Sequence, residues 1–373
     1  MANKVLITAN TAWNLVNFRD GLIRALIERG FEVVAAAPGD VYAPRLVEMG
    51  CRFVPLPMDN KGTHPGRDLV LLARFYRLLR REKPSVLLGY TIKPNIYGSL
   101  AAHALGIPVI NNISGLGTAF IRKSWLTQVV RLLYRVALSR SQKVFFQNRD
   151  DHRLFVDEGL ARSAIADRVP GSGVNLQTFA FSAVAPLTDR RFRFLLAARM
   201  LWDKGVGEYV EAARRLRARF QHVQFGLLGF LDVLNPAAIS RQHMEIWVKE
   251  GIVTYFGEAA DIRTYLAEAD CIVLPSYREG TPRTLLEAAA IGRPIITTDT
   301  VGCREVVEDG LSGYLVKPRD PSDLAEKMER MMALTPEERK AMGGRGREKM
   351  VREFDETIVI RRYLQSIQEI LKK

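Results

Sequence analysis

Two cations and two carboxylates in the rear half of the chain carry the strongest chemical signal. Arg199 and Lys204 stand five residues apart in Arg199-Met200-Leu201-Trp202-Asp203-Lys204-Gly205, directly after the apolar run 194–198. Positive charges at that separation in a strand-to-helix loop can grip one phosphate-sized anion. Glu279 and Glu287 follow a second apolar run, 271–274, in Pro275-Ser276-Tyr277-Arg278-Glu279-Gly280-Thr281-Pro282-Arg283-Thr284-Leu285-Leu286-Glu287. Thr281 fits a helix N-cap and Pro282 the first helical position, so a helix is expected to begin there with its free amides open to an anion. A carboxylate faces a diphosphate unfavourably. The two glutamates therefore suit hydroxyl groups flanking one, a ribose for one acid and a hexose for the other. Read without a ligand, the cations are solvated surface charges and the acids serve the helix dipole.

The elements that must position these residues alternate between short β-rich runs and helical patterns, the signature of parallel sheets with crossover helices. Strands are predicted at 5–8, 33–37, 53–56, 86–90, 109–111 and 144–147, and again at 194–198, 225–228, 253–256, 271–274, 295–298 and 314–316. A helix is predicted over 18–29, ended by Gly30. Further helices are expected at 337–353 and 356–372. The fold class is α/β, with two doubly wound domains in tandem. Their expected bounds are 1–182 and 183–355, with a hinge at 181–188 and a final segment, 356–373, that leans back on the first domain. In such sheets ligands sit outside the carboxyl ends of the strands, where both charged loops lie.

Composition narrows the class. At 373 residues, 47% apolar and 25% charged, the chain is expected to be globular and long enough for about two domains. No run approaches the ~18 apolar residues of a membrane span, and the N-terminus reads as a first strand instead of a secretion signal. Cys51, Cys271 and Cys303 are too far apart for a zinc or redox pair, and their odd number fits a reducing cytoplasm. The net charge of +13 is uneven: residues 1–180 hold 24 basic and 13 acidic side chains (+11), leaving 54 − 24 = 30 and 41 − 13 = 28 (+2) for the rest. Residues 60–140 alone carry 13 basic residues against Asp68 and Glu82. Such a block seeks an anionic partner, whether nucleic acid, membrane or phosphorylated substrate.

The spacing of Glu279 and Glu287, together with Arg199 and Lys204, resembles the donor site of the family 4 retaining nucleotide-sugar glycosyltransferases. The likeness extends in order through Gly173-Val174-Asn175 with Phe179, Gly257 with Asp261-Ile262, Gly292-Arg293-Pro294-Ile295, Gly302 with Glu305, and Gly313 with Leu315-Val316. It implies the GT-B fold: two Rossmann-like domains facing each other across a cleft. It further implies that Arg199 and Lys204 hold the donor diphosphate and stabilise the departing nucleotide in place of a metal. Glu287 then binds the ribose and Glu279 a hydroxyl of the transferred sugar. Phe256, Gly257, Gly280, Thr281, Pro282, Arg283 and Thr284 complete the donor pocket. No metal or other cofactor is implied beyond the nucleotide sugar, expected to be a UDP-sugar, as donor substrate. The same acids beside two phosphate-binding cations argue against a simple glycosidase.

The front half resembles transferases that build bacterial cell-surface glycans on polyprenyl-diphosphate carriers, among them N-acetylgalactosaminyltransferases of undecaprenyl-diphosphate-linked diacetylbacillosamine. Thr91-Ile92-Lys93-Pro94-Asn95-Ile96-Tyr97-Gly98, Ser114-Gly115-Leu116-Gly117-Thr118 and a loop at Asn17-Phe18-Arg19 carry the likeness. It implies a polyprenyl-diphosphate-linked saccharide as acceptor, met by Asn14, Asn17, Arg19, Lys93, Asn95, Ser114, Gly115, Gly117 and Thr118. Many relatives have a histidine where this chain has Ser114, and none of His64, His103, His152, His222 or His243 obviously substitutes. The basic block then reads as a docking surface for an anionic membrane. In 69–81 the residues Leu71, Leu72, Phe75, Leu78 and Leu79 line one helical face and Arg74, Arg77 and Arg81 another, and 121–140 repeats the pattern. The expected enzyme is cytoplasmic, peripheral on the inner face of the cell membrane, and binds no nucleic acid. The competing expectations are an epimerase or hydrolase of nucleotide sugars on the same fold, a basic nucleic-acid-binding protein, and a catalytically silent membrane scaffold.

Overall fold

The computed structural model describes residues 3–59, 64–116, 125–182, 191–233 and 235–372. The chain divides into two units, Met1–Ser172 with Glu356–Lys373, and Gly173–Asp355. In the first, β1 (Lys4–Thr8), β2 (Glu32–Ala37), β3 (Arg52–Pro55), β4 (Val86–Tyr90), β5 (Val109–Ile113), β6 (Lys143–Phe146) and β7 (Ala166–Arg168) form one sheet. Its order is β3-β2-β1-β4-β5-β6-β7 and every pairing is parallel. The second holds β8 (Phe192–Ala197), β9 (Val223–Leu228), β10 (Thr254–Tyr255), β11 (Cys271–Leu274), β12 (Ile295–Thr298) and β13 (Gly313–Val316), in the order β10-β9-β8-β11-β12-β13. Again all pairings are parallel. Both are doubly wound sheets, with chain order reversing beside β1/β4 and β8/β11.

Several boundaries differ from the sequence expectation. The helix expected at 18–29 spans Ala12–Glu28, because the Thr11 hydroxyl caps it by accepting from the Asn14 amide at 3.1 Å. Asn17 and Arg19 thus lie on a helix, not in a loop. The first unit ends at Ser172, ten residues before the expected 182. Past that point the chain is tied to the second unit: the Val174 amide donates to the Phe354 carbonyl at 2.8 Å, and Arg347 and Arg293 donate to the carbonyls of Phe179 and Ser182 at 2.7 and 2.8 Å. The expected hinge at 181–188 therefore begins in anchored residues, and 183–188 lie outside the described residues.

Glu356–Leu371 forms a helix in the first unit, where Val359, Tyr363, Leu364 and Ile367 pack into one core with Val5, Ile7 and Val33. The helix Pro65–Glu82 turns Leu71, Phe75, Leu78 and Leu79 onto the sheet, against Leu6, Val34 and Leu87. Its apolar face is core, so the expectation that this face meets a membrane is corrected. What remains exposed on the helix is Leu69, Val70 and Tyr76 among Arg74, Arg77, Arg80 and Arg81. In Trp125–Leu138, likewise, Val130, Tyr134, Ala137 and Leu138 are core while Val129, Leu132 and Val136 stay exposed. No helix among the described residues is long and apolar enough to cross a membrane.

The helix Pro336–Lys349 shows how closely the second unit is packed. A Cβ on Gly343 would lie 1.9 Å from the Gly292 carbonyl oxygen, whereas one on Gly344 meets nothing within 4 Å among the described residues. Adjacent substitutions should therefore act in opposite directions in urea unfolding. Gly344→Ala is expected to raise stability by about 0.5–1 kcal/mol through helix propensity. Gly343→Ala is expected to lower it by about 1–3 kcal/mol through overpacking. Equal shifts in the two midpoints would refute the packing assigned here.

Candidate active site

Three loops at the carboxyl ends of β8, β11 and β12 are pressed together, and glycines make the approach possible. Gly205 closes the turn after Trp202–Lys204 with φ +73°, and a Cβ there would lie 2.1 Å from the Pro275 carbonyl oxygen. Gly302 has φ +81°, and its Cβ would meet the Gly280 carbonyl oxygen at 2.4 Å. Both positions need a residue without a side chain and with access to left-handed backbone. Hydrogen bonds then fix the contact. The Asp203 carbonyl accepts from the Tyr277 amide at 3.0 Å and the Ser276 hydroxyl at 3.1 Å, and the Glu279 amide donates to the Val301 carbonyl at 3.0 Å. Tyr277 adds a longer tie: its hydroxyl donates to Glu208 at 2.6 Å, and Arg319 lies 4.5 Å from its ring centre.

The result brings Lys204 against Glu279. The ammonium and carboxylate form an ion pair between loops 75 residues apart in sequence, both largely shielded from solvent. Glu287 lies on the helix into which the second loop runs and is paired with Arg283 at 2.7 Å. Burial pushes the Glu287 carboxyl above the usual range, and the Arg283 charge opposes that rise. Arg199 is exposed on the loop leaving β8, with no hydrogen bond or ion pair among the described residues. The helix itself is Arg283–Ala290, so Pro282 is its N-cap and Thr281 precedes it. The expectation of Thr281 as cap is corrected: Pro282 has ψ 109°, an extended backbone that delays the helix by one residue. Thr281 and Thr284 are half-buried, and Gly280 and Pro282 are buried. Phe256, at the end of β10, is 38% exposed, and the Gly257 carbonyl accepts from the Gly229 amide at 2.7 Å.

The residues expected to meet an acceptor gather at the carboxyl end of the first sheet, but several have internal partners. Asn95 is 1% exposed; its amide donates to the Asn112 carbonyl at 2.8 Å and its side-chain oxygen accepts from Asn111 at 3.0 Å. It locks the turn after β4 onto β5 and does not face solvent, which corrects its expected role. Arg19 is also buried, 4.0 Å over the Tyr90 ring, and Lys93 is paired with Asp68 at 2.8 Å. Asn17 donates to the Trp13 carbonyl at 2.9 Å, and the side-chain oxygen of Asn14 is buried without a hydrogen-bond partner among the described residues. Ser114 donates to Asn112 at 2.8 Å, ahead of Gly115 at φ +114°. Gly117 and Thr118 lie outside the described residues. Sequence reasoning missed Asn112, which also binds the Tyr363 hydroxyl at 2.9 Å and accepts from Gln147 at 3.2 Å. It missed Glu208 and Tyr277 as well. The only prior signal for the latter was its place between a strand end and Glu279.

Two doubly wound parallel sheets in succession, with paired charges at the strand ends of the second, define a GT-B architecture. Solved structures agree. Sucrose-phosphate synthase of Thermosynechococcus elongatus superposes with a TM-score of 0.81 at 18% identity over 99% of each chain. The Anabaena protein HepE, in complex with UDP and glucose, gives 0.79 at 16% identity over 98% of this chain and 99% of its own. Residues 18–170 match the family described as Glycosyl transferase 4-like domain, and residues 191–333 that described as Glycosyl transferases group 1. The chain is a glycosyltransferase built from these two domains. Among its relatives is the N,N'-diacetylbacillosaminyl-diphospho-undecaprenol alpha-1,3-N-acetylgalactosaminyltransferase of Campylobacter jejuni, 28% identical over 96% of each chain. Another is the Escherichia coli UDP-Gal:alpha-D-GlcNAc-diphosphoundecaprenol alpha-1,3-galactosyltransferase, 24% identical over 68% of each.

The glycine contact sets the site's first test. Gly205→Ala places a Cβ inside the Pro275 carbonyl and forces strained backbone, and is expected to cost about 2 kcal/mol or more in urea unfolding. Gly39→Ala is the control, since among the described residues its Cβ meets nothing within 4 Å. A Gly205→Ala midpoint as high as the control's would rule out the close loop contact.

Proposed function

We propose that the protein transfers a hexose or N-acetylhexosamine from a nucleotide sugar, a UDP-sugar, to a polyprenyl-diphosphate-linked saccharide, with retention of anomeric configuration. The observation that carries this reading is the meeting of Lys204 with Glu279 on adjoining strand-end loops. A cation for phosphate and an acid for sugar hydroxyls there stand side by side. Lys204 and Arg199 hold the donor diphosphate and offset the charge that grows on the nucleotide as the glycosidic bond breaks. Glu279 accepts a hydrogen bond from a hydroxyl of the transferred sugar. Glu287 accepts from the ribose, and the exposed ring of Phe256 offers a face to the base. The loop amides around Gly280 and Thr281 complete the cradle. Retention follows if the acceptor hydroxyl attacks from the face the nucleotide leaves, with a donor phosphate oxygen taking its proton.

The acceptor class is supported by the relatives' names, two of which specify diphosphoundecaprenol-linked sugars. The first unit receives this acceptor, with Ser114 and the following glycine loop at its sugar. We further propose that the enzyme works in the cytoplasm at the inner face of the cell membrane. The exposed Leu69, Val70 and Tyr76, set among Arg74, Arg77, Arg80 and Arg81, suit an anionic leaflet, which attracts each nearby cation by about 1 kcal/mol.

Lys204→Ala and Glu279→Ala are each expected to cut transfer at least ~100-fold, the scale for removing one preorganised transition-state contact, while the far-UV circular dichroism stays that of the folded wild type. Transfer at the wild-type rate in either variant sinks the assigned roles. Consumption of donor by the wild type without acceptor points to a hydrolase or epimerase instead. On the membrane side, Arg77→Glu with Arg80→Glu is expected to weaken flotation with phosphatidylglycerol vesicles about tenfold or more at low salt. Undiminished flotation, or tighter binding to random oligonucleotides than to vesicles, speaks against membrane docking.

A further inference from the structure

We infer that Glu279 is the residue by which the site distinguishes a nucleotide sugar from the nucleoside diphosphate left after transfer. The inference rests on the donor reading above and extends it. Lys204, the ammonium placed for the diphosphate, is ion-paired with Glu279, and the two side chains are only 18% and 13% exposed. Both backbones are held: the Lys204 amide donates to the Leu201 carbonyl at 3.1 Å, and the Glu279 amide to the Val301 carbonyl at 3.0 Å. A diphosphate therefore cannot take the ammonium without competing against a carboxylate that remains close by.

The cost of that competition depends on what the diphosphate carries. A nucleoside diphosphate draws Lys204 away and leaves Glu279 with neither a cation nor a donor, next to its own negative charge. Partly shielded from water, a stranded carboxylate there is expensive. A nucleotide sugar brings a hydroxyl that donates to Glu279 and replaces the lost contact. Glu279 thus penalises the bare diphosphate and spares the glycosylated one. Once the sugar has moved to the acceptor, the carboxylate retakes Lys204 and helps expel the nucleotide. The same acid that orients the sugar acts as the internal competitor for the phosphate.

Titration calorimetry of UDP, GDP and ADP, and of a UDP-sugar, against wild type and Glu279→Gln reads this directly. Gln keeps the size of the side chain and removes its charge. The nucleoside diphosphate that binds wild type is expected to bind Glu279→Gln about tenfold tighter, while the nucleotide sugar gains nothing or weakens, so the ratio of the two affinities shifts about tenfold or more towards the bare diphosphate. In Lys204→Gln the nucleoside diphosphate weakens, and in the double variant the gain from Glu279→Gln disappears. Bare diphosphate no tighter in Glu279→Gln, or equal gains for both ligands, overturns this inference alone. Wild type that binds none of these nucleotides overturns the donor reading and this inference with it. Should Glu279→Gln not fold, Glu279→Ser must show the same selective gain, and its absence counts against the inference equally.

Discussion

The candidate active site depends on one steric permission, the approach of the turn at Gly205 to the carbonyl of Pro275. No residue with a Cβ fits at 2.1 Å from that oxygen. Because the turn sits there, the Asp203 carbonyl can accept from both Ser276 and Tyr277. Lys204, the next residue, is thereby delivered to Glu279. The loop after β12 closes on the same place through Gly302, and Thr300 donates to the Ser276 carbonyl at 3.1 Å. Three strands that share no continuous chain thus present their ends as one surface, and the charges on it act at short range in a poorly solvated setting.

The first unit builds its strand ends differently, around a buried amide. Asn112 holds Tyr363, Ser114 and Gln147 with its side chain and Asn95 with its carbonyl, while Asn111 engages Asn95, Ser99 and Ser141. Every polar group on these two asparagine side chains is satisfied, so the network stiffens the end of β5 and the turn after β4. Tyr363 comes from the helix Glu356–Leu371, 251 residues away from Asn112. The last helix is therefore part of the machinery that shapes the loop at Ser114, and its apolar face, buried with β1 and β2, keeps the tyrosine in register.

What could be read from the sequence follows from how local each cause is. Strands such as Cys271–Leu274 and Val86–Tyr90 are buried on both faces and announce themselves as apolar runs between turns. Ala166–Arg168 escaped notice: an edge strand of three half-buried residues needs no apolar run. The start of the helix at Ala12 was obscured because Asn14 and Asn17 look like loop residues, although Thr11 supplies the cap. In the site, the charged residues stand beside strand ends and carry their meaning locally. The Tyr277–Glu208 bond spans 69 residues and the Asn112–Tyr363 bond 251, so no spacing rule reveals them. Asn95 was misjudged for the same reason, because its partner Asn111 looked like strand alone.

The charge of the chain is divided by task. In the rear half, nearly neutral at +2, Lys204 is met by Glu279 and Arg283 by Glu287, while Arg199 stays exposed. Matched pairs of this kind select among ligands more than they attract them, since each partner must be compensated when a ligand takes the other. In the front half, with its excess of +11, Arg77 and Arg80 stand exposed on a helix whose apolar side is spent on the core. Charges of that kind act at a distance and discriminate little. On the proposed reading, a protein that finds a dispersed anionic surface and then chooses among similar nucleotides gains from keeping the two kinds apart, because a strong field of unpaired charges at the donor site would hold any diphosphate, the spent one included.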